Sequence, residues 1–174
     1  SHFEICIRSV AGGYGSNYDH RLQTGNQLQL GGQFGDFVLQ ENSQKQILMI
    51  ATGTGMAPIK SMLMHLLDKK SSRKVRLFFG NRHETDLFYT DLFRGLKANY
   101  PEFEYDMILS SPNPKKWSGH NGRVTDLVEK NITEEDFINR EVYICGGRKM
   151  LEDCKQILEE KKFSNTSIYF ENYF

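Results

Sequence analysis

A chain of 174 residues, 39% of them hydrophobic and 12% aromatic, can bury one full core with room for part of a second domain. Lys+Arg and Asp+Glu balance at 22 each, so no net field recruits nucleic acid or an anionic membrane surface. Three cysteines, Cys6, Cys145 and Cys154, without a Cys-x-x-Cys pair, argue against a disulfide framework and a zinc site, and a reducing cytoplasmic setting is expected.

No apolar run reaches the length of a membrane span, and the start lacks a charged-then-apolar leader, so any place at the cytoplasmic membrane face would come through upstream segments or partners. Ser1-His2 stand directly before Phe3, Ile5 and Ile7, which alternate with polar neighbours, so the chain opens almost inside a strand. Leu28 and Leu30 alternate in the same way, and Phe37-Val38-Leu39 follow Gly35-Asp36. Three short antiparallel strands with so few large apolar residues do not close a barrel by themselves, so this segment reads as a piece of a β domain. Cys6 and Cys154 read as buried, packed thiols.

From Gln44 the pattern becomes strand, helix, strand, helix. Apolar runs at 47–51, 75–79, 103–109, 142–144 and 168–170 predict five strands. Between them, Ile59, Met62, Leu63, Leu66 and Leu67 form one helical stripe, and Phe88, Leu92, Phe93 and Leu96 a second. Val124, Leu127 and Val128 form a third, and Met150, Leu151, Cys154, Ile157 and Leu158 a fourth. Such alternation implies an α/β, doubly wound, five-stranded parallel sheet with right-handed crossovers and helices on both faces. Residues 113–122 form the one long irregular stretch, a candidate surface loop near a ligand.

Three motifs carry chemistry. The run Thr52-Gly53-Thr54-Gly55-Met56-Ala57-Pro58 takes a buried strand into a glycine turn and a helix, where backbone amides and the helix N-terminus can hold a diphosphate; the alternative is a tight turn with no ligand. Pro58 replaces the third glycine of the simple dinucleotide fingerprint, and the second strand ends in Gly80-Asn81-Arg82 without an acidic ribose ligand, which weakens a plain dehydrogenase reading. Cys145-Gly146-Gly147-Arg148-Lys149-Met150 repeats the strand, turn and helix. If strand order reverses after the third strand, both turns face one crevice, with Cys145 beside it in a positioning or packing role, since no His partner activates it. The third motif is the terminal Ile168-Tyr169-Phe170-Glu171-Asn172-Tyr173-Phe174, whose aromatics are either core or a platform for a flat ring.

Together these motifs resemble the ferredoxin-NADP reductase superfamily over nearly the whole chain, particularly its oxygenase-reductase and sodium-pumping NADH:quinone reductase branches. The resemblance implies a sheet order of 3-2-1-4-5 and a division into 1–43, the end of an antiparallel FAD-binding β-barrel, and 44–174, the NAD(P)H-binding domain. It places the pyridine nucleotide on Thr52, Gly53, Thr54, Gly55 and Pro58, its adenosine half near Asn81, Arg82 and Ser110, and its nicotinamide by Cys145, Gly146, Gly147 and Met150. Glu171 and Tyr173 match the family's terminal Glu-x-aromatic, and Gly13 and Ser16 its Gly-x-x-Ser flavin-diphosphate motif. The family's Arg-x-Tyr-Ser flavin motif is missing, so this chain alone is expected to hold FAD weakly and to turn over little. Ser110-Ser111-Pro112 lacks the Arg that NADP-using relatives place there, which favours NADH; Lys115 and Lys116 read as solvated surface.

The implied activity is hydride transfer from NADH to FAD and electron delivery to an iron-sulfur, haem or quinone acceptor, such as a ferredoxin or an oxygenase. No metal site is expected, since His65 and His120 lack partners that would make them ligands or bases. A nucleotide sensor without redox turnover and a flavodoxin-like FMN carrier are the two alternatives.

Overall fold

The computed structural model describes residues 4–32, 34–133 and 136–172. Its centre is a six-stranded parallel sheet: β1 Gln46–Thr52, β2 Val75–Asn81, β3 Phe103–Leu109, β4 His120–Asn121, β5 Arg140–Gly146 and β6 Ile168–Asn172, in the order β4-β3-β2-β1-β5-β6. The five periodic strands take the expected order. The sixth, β4, is a correction: two residues of the irregular stretch pair with β3 in the register Ile108↔His120 and Leu109↔Asn121, too short a segment to leave any periodicity. With β1 between β2 and β5, the sheet differs from the flavodoxin-like order and removes that alternative.

Side chains of β1 alternate between two cores, as the two-residue period of a strand requires. Ile47, Met49 and Ala51 enter one core with Met56, Ile59 and Leu63 of α2 (Met56–Asp68) and Phe93 of α3 (Thr90–Asn99). Leu48 and Ile50 enter the other, with Leu127 of α4 (Val124–Asn131) and Leu151 and Leu158 of α6 (Arg148–Glu160). Burial on both faces explains why β1 reads as one continuous apolar run. Phe88, expected in the second helix, stands before α3 and meets Phe79 edge to face at 5.3 Å. A four-residue helix, α5 (Asp136–Asn139), leads into β5.

Among the described residues of 4–45 no strand forms, and one short helix, α1 (Tyr14–Asp19), is the only regular element. The alternation at Ile5, Leu28, Leu30 and Val38 is not converted into a sheet, and these side chains stay exposed. Strands need partners for their backbone groups, and the segment supplies too few of its own. Cys6 is half-buried, a correction to its expected burial, and desolvation raises its thiol pKa against the nearby Lys60, which lowers it. Cys154 is fully buried, with its pKa pushed up to about 12 by desolvation.

Candidate functional site

The sheet reverses its winding between β1 and β5, and the C-terminal ends of these neighbours define a crevice. At its floor the two glycine turns press together. A Cβ on Gly55 would collide with the Cys145 carbonyl, and one on Gly146 would collide with the Thr52 hydroxyl and stand 2.6 Å from Met150 Cε. Gly80 is nearly as tight, 2.9 Å from Val124 Cβ and 3.2 Å from Thr52 Cγ2. Thr52 therefore fills the notch between β2 and β5, and only glycine lets the backbones close around it. Gly53, by contrast, has φ of 51° with nothing within 4 Å of a would-be Cβ, so its peptide faces open space in the left-handed conformation that glycine permits.

Two long helices start at this crevice. α2 follows the short 3-10 turn Gly53–Gly55, and α6 starts after Gly147; neither N-terminus has a side-chain cap. Their first-turn amides and positive dipole ends are the groups that an anionic ligand would complete. Pro58 lies in the first turn of α2, where its missing N–H costs no helical bond.

On the β2 side, Asn81 ends its strand with a buried side-chain Nδ2 that has no hydrogen-bond partner. Beside it a cleft of about 640 Å³ is lined by Arg82, Ser110, Ser111, Gly122, Arg123 and Asp126. His83 Nδ1 lies 2.7 Å from the Ser111 carbonyl, and Ser110 and Ser111 donate their backbone N–H groups to the carbonyls of Asn81 and Arg82, so the cleft wall is braced. Asp126 accepts from the Arg123 backbone N–H at 2.8 Å and holds the start of α4.

On the other side, register pairs Cys145 with Glu171 and Gly146 with Asn172, so the terminal carboxylate stands at the crevice next to the second glycine turn. Cys145 is fully buried, and Met150 is partly buried beneath Gly146. Tyr173 lies outside the described residues. Gly13 and Ser16 belong to the N-terminal segment, where Ser16 Oγ accepts from Val10 N–H at 3.2 Å.

The expected residues Thr52, Gly53, Thr54, Gly55, Asn81, Arg82, Ser110, Cys145, Gly146, Gly147 and Glu171 thus line one edge of the sheet. Arg123 and Asp126 were missed; their signal was Gly122-Arg123 opening the third helical stripe, with an acidic residue three places on. Lys115 and Lys116 do not line the cleft. His65 and His120 each have a carboxylate neighbour after all, Glu41 at 2.9 Å and Asp106 at 3.3 Å. Among the described residues no group of three or more His, Cys, Asp or Glu could hold a metal ion, and no helix is long and apolar enough to cross a membrane.

A doubly wound parallel sheet with two glycine turns, two uncapped helix starts and an orphan amide at its switch point defines a nucleotide-binding α/β domain. Residues 49–156 match the oxidoreductase NAD-binding domain family, and the chain belongs to it. It is 31% identical to the phenol hydroxylase P5 protein of Acinetobacter pittii (strain PHEA-2), covering 98% of this chain and 48% of that protein. It is 33% identical to ferredoxin--NADP reductase B of Sorangium cellulosum (strain So ce56), over 86% of this chain and 62% of the relative. The solved cytochrome P450 reductase of Amycolatopsis superposes with a TM-score of 0.78 at 27% identity, covering 96% of this chain and half of that one (50%). The resemblance to the ferredoxin-NADP reductase superfamily holds, and the chain spans about half the length of the curated relatives it matches, 48% and 49% for two of them.

Proposed function

We propose that this chain is the pyridine-nucleotide-binding part of a flavoprotein reductase, with residues 44–174 as the nucleotide domain and 1–43 as the end of an FAD-binding domain. The observation that carries the reading is the pair of glycine turns packed on each other at the switch point, with Asn81 Nδ2 left unpartnered beside them. A dinucleotide fits this donor set. Gly53, Thr54 and Gly55 at the start of α2 hold its diphosphate, Asn81, Arg82 and Ser110 its adenosine half, and Cys145, Gly146, Gly147 and Glu171 its nicotinamide end.

A bound pyridine nucleotide would supply a hydride, and a bound FAD would supply the acceptor chemistry that links it to an iron-sulfur, haem or quinone partner. This chain's residues contribute orientation and exclusion of water rather than an acid or a base. Thr54 and Cys145 wall the nicotinamide end, Met150 supports Gly146 from below, and Glu171 orients the ring amide. Gly13 and Ser16 face the flavin diphosphate. Relatives named as reductase components of phenol 2-monooxygenase and propane 2-monooxygenase support an oxygenase as acceptor.

NADH is the favoured form, because Ser110-Ser111-Pro112 supplies no arginine for a further phosphate on the ribose, and the Asp126 carboxylate in the cleft opposes one. Arg82 and Arg123 bring cations to the same cleft and work in the other direction. Calorimetric titration of the chain with NADH, NADPH and FAD tests the reading. Preferential NADH binding without tight FAD retention supports it; tight flavin binding with no pyridine-nucleotide binding refutes it.

A further inference from the structure

Residues 35–45 run as a strap from the crevice to the opposite edge of the sheet. A Cβ on Gly35 would stand 3.8 Å from Glu171 Oε2, Phe37 meets Tyr143 with ring centroids 6.2 Å apart, and Lys45 Nζ donates to Ser167 Oγ at 3.2 Å, just before β6. Beneath the strap lies a buried polar network far from any role in ligand binding. Arg73 and Glu141 have side chains only 5% exposed and pair at 2.6 Å. Arg73 also donates Nε to the Lys45 carbonyl at 2.6 Å and Nη1 to the Gln40 carbonyl at 3.2 Å. Tyr143 Oη accepts from Gln40 N–H at 3.0 Å and donates to Glu141 Oε2 at 3.1 Å.

We propose that the Arg73–Glu141–Tyr143 network is a register pin that fixes the strap along β5 and β6 and so sets where the flavin-side residues stand relative to Glu171. The inference rests on the proposed flavin reductase reading for its catalytic consequence only. Phe37 and Leu39 pack on the same core, two residues apart. A slip of two residues would replace one apolar side chain by the other, so apolar packing alone leaves the register weakly specified. Such a slip would carry Gly35 about 6–7 Å from its present place. Hydrogen bonds to the N–H and the carbonyl of the single residue Gln40, and to the carbonyl of Lys45, do not survive a slip. A buried ion pair contributes little net stability, and specifying register is its best-attested use. Arg73, Glu141 and Tyr143 are positioning residues in this scheme, acting through the strap.

Tyr143→Phe keeps the ring against Phe37 and the stacked Tyr169, 5.0 Å away, while leaving Gln40 N–H unpaired and Glu141 Oε2 with the Arg73 bond alone. Arg73→Lys keeps the charge but loses the three-way fork. In this chain, amide hydrogen exchange at Gln40 and its neighbours is expected to speed up about tenfold, the worth of one net hydrogen bond, with β1 and β2 amides and NADH affinity unchanged. In the parent protein with its complete flavin domain, kcat falls with KM held. Wild-type exchange rates in the strap, faster exchange with unchanged kcat, or a speed-up that spreads through β1 and β2 with loss of NADH affinity would each overturn the pin. Failure of the wild-type chain to bind NADH would sink the functional reading instead, and the exchange data would still decide whether the strap is pinned.

Discussion

Gly146 and Cys154 show how differently single residues bear on this molecule. Gly146→Ala forces a methyl into the Thr52 hydroxyl and Met150 Cε, at a backbone φ of 155°, and should cost about 1–3 kcal/mol of stability, as overpacking does. Its NADH affinity should fall as the two turns separate; thermal melts and calorimetry check both. Cys154 makes a pH prediction. Its folded pKa of about 12 stands above the usual 9.0, so the folded chain retains the proton that the unfolded chain releases. Stability is therefore intact below pH 9 and declines as pH rises toward 12, by up to about 1.4 kcal/mol per pH unit from this group. Tyr143, whose pKa is raised by burial first and by Glu141 beyond it, moves in the same direction. Urea midpoints at pH 8 and pH 10 should show the decline, and Cys154→Ala should lessen it.

At the scale of the element, α4 shows how one helix start serves fold and site together. Asp126 holds the Arg123 N–H and also lines the cleft with Arg82 and Arg123. Asp126→Ala should destabilise the chain by about 1 kcal/mol through the lost cap, and it should raise NADPH affinity relative to NADH, because the carboxylate no longer opposes the ribose phosphate. An unchanged NADPH-to-NADH ratio by calorimetry would show that the cleft does not read the ribose. The element scale is also where sequence patterning was most readable. β1, β2 and β5 are covered on both faces, so each carries a run of apolar residues, and helical stripes mark α2, α4 and α6. β4 was invisible, because two exposed residues carry no period. The strands expected before residue 40 failed for the converse reason: alternation was present, but pairing partners were not.

For the molecule as a whole, the sharpest contrast is between the packed sheet and the segment that leads into it. Tyr14 and Phe34 are each 91% exposed, and Ile5, Val10, Tyr18, Leu28, Leu30 and Val38 are also open to solvent. Removing residues up to 34 should leave NADH binding and the melting temperature nearly unchanged, since little of that surface is buried. Removing residues up to 45 should lower the melting temperature clearly, because Phe37 and Leu39 leave the core, Arg73 loses two of its acceptors and the Tyr143 ring is uncovered. Circular dichroism and gel filtration of the two truncations distinguish these outcomes.

The sequence by itself determined the doubly wound class, the five long strands and the two glycine turns, because hydrophobic period and glycine placement are local consequences of burial and of close backbone approach. Only the tertiary structure brought Arg123 and Asp126 to the cleft beside Arg82, and only it joined Arg73, Glu141 and Tyr143 to the backbone of Gln40 and Lys45. Those groups are far apart in the chain, and each alone reads as an ordinary surface charge or a core aromatic. What makes them a cleft and a pin is the crossover geometry that places their strand ends side by side.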